Sequence, residues 1–230
     1  MNNKSLKIFL IVSLVLIVGG SFLANQIQTE GGDIKVKDIR FIGKDGKKLS
    51  ALMFIPKGVD NKNPAPAVLT MHGYINTRET QTGFNIEFAR RGYVVMAMDM
   101  AGHGYSEQIA RDLSRGAASG LKYLSSLPFV DKNNIAVEGH SMGGWSTLTA
   151  AGMHPELVET VILEGSSPAT AGAPGVTAES DFNFGVVYSK YDEFSNLMWG
   201  ISEADNIVET DKLKKAFGTD NKVTPQKLYG

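Results

Sequence analysis

In the stretch VEGHSMGGW, Val137 to Trp145, a serine stands between two glycines in the pattern G-x-S-x-G. A serine hydroxyl barely ionises at neutral pH, so Ser141 can attack a carbonyl carbon only if a general base takes its proton. Gly139 and Gly143 fit a sharp strand-to-helix turn, where neighbours without side chains let the helix pack close and the hydroxyl project above the sheet. The amino terminus of that helix favours the negative charge that develops during attack. The chemistry this pattern can do is acyl transfer through an acyl-enzyme. It also needs donors for the oxyanion. The backbone N–H of Met142, directly after the nucleophile, is one candidate; the N–H of Tyr74 in MHGY is the other, with Gly73 permitting close approach.

The elements that must position these residues are legible in the apolar spacing. Two extended segments, 34–42 and 48–55, flank the turn signal Asp45-Gly46 and predict an antiparallel edge hairpin. The short apolar run PAPAVLTM enters MHGY, and Phe84, Ile86, Phe88 and Ala89 predict a compact helix closed by Gly92. A buried strand over 93–98 spills into a glycine-rich loop. A longer helix is expected over about 110–127, with Leu113, Ala117, Leu121 and Leu124 on its inner stripe, and DKNN turns the chain into the strand NIAVEG. A helix over 144–153 and a strand over 158–163 follow. Strands alternating with helices imply right-handed crossovers and a mostly parallel sheet with helices on both faces, a three-layer α/β/α sandwich. Chemistry in such sheets sits beyond the carboxyl ends of the strands, where each of these loops falls.

Composition narrows the function classes. The 23 basic and 24 acidic residues are interspersed, so no nucleic-acid partner is expected. With no cysteine, a disulfide framework, thiolate metal sites and a cysteine nucleophile are all excluded. No H-x-x-x-H or E-x-x-H spacing suggests a metal, and no G-x-G-x-x-G opens the first strand-helix unit, so no cofactor is expected.

MHGY, DMAGHGYS and VDKNNIAVEGHSMGG, in that order, resemble an α/β-hydrolase of the bacterial dienelactone-hydrolase and acyl-peptidase-like kind, over about 34–193. The resemblance implies an eight-stranded sheet and a triad in the order serine, acid, histidine. Ser141 maps onto the nucleophile. The run 184–188 matches strand seven, which places Asp192 where the family has its acid; Glu164, ending the preceding strand, is the alternative. The histidine would follow strand eight. The four histidines, His72, His103, His140 and His154, all precede that place, and residues 193–230 hold none. The expectation is therefore a hydrolase domain over 31–230 that lacks its last strand and its base. The reading is a serine hydrolase of carboxylic esters, thioesters or amides in small-molecule or peptide substrates. The alternative is a catalytically incomplete or purely binding module of the same fold.

The amino terminus differs in kind. Lys4 and Lys7 precede a run from Ile8 to Ala24 without an ionisable side chain, and residues 1–30 read as an anchor or signal segment with its linker. Residues 8–24 approach the length that crosses a bilayer, and the cationic flank stays cytoplasmic, which puts the catalytic domain outside. An uncleaved single-pass anchor is the expectation, with secretion after cleavage near Gly19 to Ala24 as the alternative.

Overall fold

The computed structural model describes residues 3–164 and, as backbone, 183–187. Helix α1 (Asn3–Gln28) buries none of its residues in the protein. The sheet contains β1 (Ile34–Ile42), β2 (Lys48–Pro56), β3 (Ala65–Met71), β4 (Val94–Met98), β5 (Val130–His140), β6 (Thr160–Glu164) and β7 (Asn183–Val187). Their spatial order is β1-β2-β4-β3-β5-β6-β7. β2 runs antiparallel to both neighbours, and the remaining pairings are parallel. The hairpin pairs Ile34 with Pro56 and Ile42 with Lys48. It turns through Asp45 and Gly46, both at positive φ (56° and 71°), as that dipeptide allows.

Helices α2 (Thr82–Arg90), α3 (Ala117–Ser125) and α4 (Met142–Met153) complete the described fold. The two sheet faces divide the apolar residues by strand alternation. On one face α3 and α4 cover Leu69, Met71, Met96, Met98, Val137, Val161 and Leu163, all fully buried. On the other, α2 covers Phe54, Val95 and Ala97 through Ala89. The three-layer mostly parallel architecture expected from the strand-helix alternation is present.

Several boundaries differ from the sequence expectation, each for a local reason. The helix expected over 110–127 begins only at Ala117. Arg111, Arg115 and Gly116 take positive φ, and the Asp112 carboxylate accepts the Ser114 and Gly116 N–H groups. That side chain offers the backbone an alternative to the helix ladder. Leu113 is consequently exposed rather than part of the inner stripe. DKNN does not end a turn before the strand. β5 already begins at Val130, which pairs with Ala65, and a register shift between Ala65 and Ala67 absorbs the polar residues. In α2 the buried positions are Ala89, as expected, and Asn85, whose side-chain oxygen accepts the Thr70 hydroxyl, while Phe84 is exposed.

Leu121→Ala is expected to lower stability by about 2–5 kcal/mol, since it opens a cavity between α3 and the sheet. Leu113→Ala should change it by no more than about 0.5 kcal/mol. Denaturant unfolding of the purified chain measures both; equal losses would mean that the longer helix exists.

Candidate active site

β5 delivers the chain to Ser141, and α4 leaves it, with a single residue making the reversal. Ser141 has φ 52° and ψ −115°, a conformation that a residue with a side chain adopts at a cost of about 1–3 kcal/mol. The surroundings hold it there. Its N–H donates to the Glu164 carbonyl (2.9 Å) at the end of β6, and its carbonyl accepts the Gly144 N–H (3.0 Å) in the first turn of α4. The glycines on either side are demanded by space. A Cβ on Gly139 would lie 2.3 Å from the Gly143 carbonyl group, and one on Gly143 would lie 2.1 Å from the Met71 oxygen. The helix thus crosses the ends of β3 and β5 at backbone contact, and Ser141 stands exposed above them.

The loop after β3 lies against this elbow. A Cβ on Gly73 would sit 2.7 Å from His140 Nδ1 and 3.5 Å from Ser141 Cβ, so any side chain there would have to displace the His140 ring. Among the described residues, neither the Tyr74 N–H nor the Met142 N–H donates to a protein acceptor. Met142 opens α4, and the Tyr74 ring is exposed, edge-on to His103 at 6.4 Å.

The histidines fall into different roles. His72 is buried, and its Nε2 accepts the Met100 N–H (3.0 Å). Its Nδ1 must then carry the proton, which it donates to the Gly73 carbonyl (2.7 Å). Burial pushes the His72 imidazole below its usual pKa, so it is a neutral brace between the loops after β3 and β4. His154 lies beyond the far end of α4 with Nδ1 3.4 Å from Glu156. His103 faces His72 with ring centres 5.3 Å apart, and His140 lies under Gly73. Asp192 lies outside the described residues. Glu164, the alternative acid, ends β6 paired with His140 across the sheet.

Two groups gave no distinct signal as site residues in the sequence. Arg78, 4% exposed, reaches back from the loop after β3 to the sheet edge. Its guanidinium donates to both Asp38 oxygens (3.0 and 2.9 Å), to Ser50 Oγ (2.7 Å) and to Glu79 (3.1 Å). Its backbone N–H donates to Asp99 (3.0 Å), whose other oxygen accepts the Tyr105 N–H (3.1 Å). The Tyr105 ring closes over the cation at 5.2 Å. Chiefly through the hydrogen bond from Arg78, the Asp38 carboxyl is lowered to about 2. Arg78 itself is raised: burial opposes its charge, but the Asp38 and Glu79 carboxylates outweigh that.

The second group is Glu138, buried one residue before Gly139, with both oxygens accepting from Gln81 Nε2 at 2.9 Å. Burial pushes its carboxyl well above the usual range, the Glu164 carboxylate pushes the same way, and the Gln81 amide pulls back. The only hint in the sequence was a carboxylate inside an otherwise apolar strand, NIAVEG.

This geometry has counterparts among known proteins. A family model described as serine aminopeptidase, S33, matches residues 62–191, more than half of the chain. An uncharacterised protein of Mycobacterium tuberculosis is 34% identical over 120 residues, 52% of this chain and 32% of that protein. A protein named probable dipeptidyl-aminopeptidase B, from Pyrenophora teres f. teres, is 26% identical over 130 residues, 50% of this chain and 14% of the relative. The chain thus spans about a third or less of the length of these curated relatives. Among solved structures, acetyl xylan esterase 1 from Thermoanaerobacterium superposes with a TM-score of 0.53 at 22% identity, covering 61% of this chain and 50% of the esterase. At that identity the likeness is one of fold.

Arg78→Ala leaves the buried Asp99 carboxylate without its cation and is expected to cost about 3–5 kcal/mol, with Arg78→Lys between it and the native chain. A loss below about 1 kcal/mol in denaturant unfolding would remove the loop-anchoring role. Glu138 holds its proton more tightly folded than unfolded. Its stabilising contribution is complete below its ordinary value of 4.5 and declines as pH rises from there toward the raised folded value. Unfolding free energy measured against pH should show that decline in the native chain, and a shallower one in Glu138→Gln.

Proposed function

The chain belongs to the serine aminopeptidase S33 family of α/β-hydrolases, and from that premise we propose that it hydrolyses carboxylic ester, thioester or amide bonds through an acyl-enzyme at Ser141. The observation that carries this reading is the backbone of Ser141 itself. A strained serine at positive φ between strand and helix is a costly arrangement that a packing role does not call for, and the residue it holds there is exposed. Attack on an acyl carbon would form a tetrahedral oxyanion. The Met142 and Tyr74 amides are the proposed donors to it, and the amino terminus of α4 adds its positive potential. Collapse of that intermediate expels the alcohol, thiol or amine, and water then releases the acid.

In this reading Asp192 is the carboxylate that orients the imidazole. The general base is the open role: of the histidines in this sequence, His72 spends both ring nitrogens on Met100 and Gly73, and His154 lies a helix length from Ser141. A helix of 12 residues spans roughly 18 Å. His103, which faces the Tyr74 ring, and His140, which directly precedes Ser141, are the ones left to test. The same observation supports the second reading, a hydrolase-fold module that binds an acyl compound without turning it over.

α1 is proposed as a single membrane anchor, with Lys4 and Lys7 cytoplasmic and the domain outside. Its 26 residues would span roughly 39 Å, more than the hydrocarbon core requires, with a mean hydropathy of 2.5 in its most apolar window and no residue buried in the protein. A cleaved signal segment with a secreted domain is the alternative.

A fluorophosphonate probe should label the purified chain, and Ser141→Ala should abolish that labelling. Removing one triad member from a serine hydrolase costs several orders of magnitude in rate. Labelling that survives Ser141→Ala would sink the nucleophile assignment. Labelling in the native chain with no p-nitrophenyl butyrate hydrolysis would favour the binding module, and loss of labelling in His103→Ala or His140→Ala would identify the base.

A further inference from the structure

The point at which the anchor enters the domain says where the elbow faces. Register can be followed across the sheet: Val36 pairs with Phe54, Phe54 with Val95, Val95 with Val68, and Val68 with Ala136. Because β2 is antiparallel to both β1 and β4, β1 runs in the same direction as β5. Ile34, the first residue of β1, therefore lies two residues below the level of Ala136, and Ser141 five residues above it. Seven residues at about 3.3 Å each put the start of β1 roughly 23 Å from the elbow, at the opposite end of the sheet.

The join between α1 and that end is short and tied down. Only residues 29–33 separate α1 from β1. Thr29 accepts the Ile34 N–H (2.9 Å), Asp33 accepts the Lys57 N–H (2.7 Å), and Thr29 donates back to Asn25 in the last turn of α1 (2.9 Å). Glu30 pairs with Arg90 at the end of α2, and Asp33 with Lys57, both at 2.8 Å. Ile34 is buried against Phe54, Ala89 and Val95. These contacts mean that the helix leaves the base of the sheet as a fixed stalk.

Resting on the reading of α1 as an anchor, we propose that Ser141 faces away from the bilayer and that its substrate is a water-borne acyl compound, a soluble ester, amide or peptide, and not the acyl chain of a membrane lipid. A lipid ester buried at the headgroup boundary would have to leave the membrane and travel the height of the domain to reach the hydroxyl. A soluble substrate meets it directly.

The absence of cysteine makes the test direct. Single cysteines at Asn61 (in the loop at the base), Asp45 (in the turn at the other end) and Ser141 are introduced into the full chain. Each is labelled with a donor fluorophore and reconstituted into vesicles carrying a headgroup-labelled acceptor lipid. Transfer should be strong from position 61 and severalfold weaker from 45 and 141. Transfer from position 141 equal to that from position 61 in membrane-retained protein would overturn the inference alone. Release of the chain by carbonate washing, or a mature form beginning after residue 24, would overturn the anchor reading and the inference with it. In the same vesicles, a soluble fluorophosphonate should label the native chain and a phosphonate carried on a phospholipid should not; equal labelling by both would also refute it.

Discussion

The site depends on one steric constraint: a helix must begin within backbone contact of the strands it caps. α4 touches the end of β3 at Gly143 and the end of β5 at Gly139, leaving no room at either position for a methyl group. With both neighbours pressed against backbone, the turn between them cannot relax, and Ser141 takes a positive-φ conformation and stands exposed. The cost of that residue is carried by the many buried contacts of α4 with Leu69, Met71, Val137 and Leu163. Strain at a site persists only where surrounding structure over-determines it.

A second constraint serves the first. The loop from His72 to Gln81 has little secondary structure of its own, yet it must hold its backbone against the elbow. It is held at three places by different physics. His72 joins it to the loop after β4 through two hydrogen bonds with a fixed proton. Arg78 ties its middle to the hairpin edge through a planar fork of donors on Asp38, reinforced by Ser50 and Asp99. Gln81 ties its end to Glu138 inside β5. Multidentate hydrogen bonds to carboxylates give geometric specificity as well as energy, which is what a loop held against the elbow needs. The Asp38 end of this network is half exposed, so its value for stability is modest; the buried Asp99 end is where loss of the cation is felt.

How much of this could be read from the chain differs from residue to residue. The strand-to-helix turn at Ser141 was legible because G-x-S-x-G between an apolar strand and a helix is local, and its glycines answer to contacts that any such turn must make. The hairpin, the order of strands and helices and the mostly parallel sheet were legible for the same reason: apolar spacing reports which face a segment buries. The start of α3 was not, since Leu113 has the right spacing but Asp112 captures the backbone before the helix can form. The buried character of His72, Arg78, Gln81 and Glu138 was also hidden. In sequence they are ordinary polar residues, and their partners lie up to 57 positions away.

By itself the sequence determined the fold class, the strand-to-helix turn that carries Ser141, the apolar amino-terminal segment and the lack of cysteine, because each rests on residue type and short-range periodicity. Only the tertiary structure decided which histidine is a brace, which arginine anchors the loop, and which end of the sheet receives α1. Those are questions of which distant residues share a few ångströms and in which direction paired strands run. Strand pairing and burial set both, and neither is written in the spacing of neighbours.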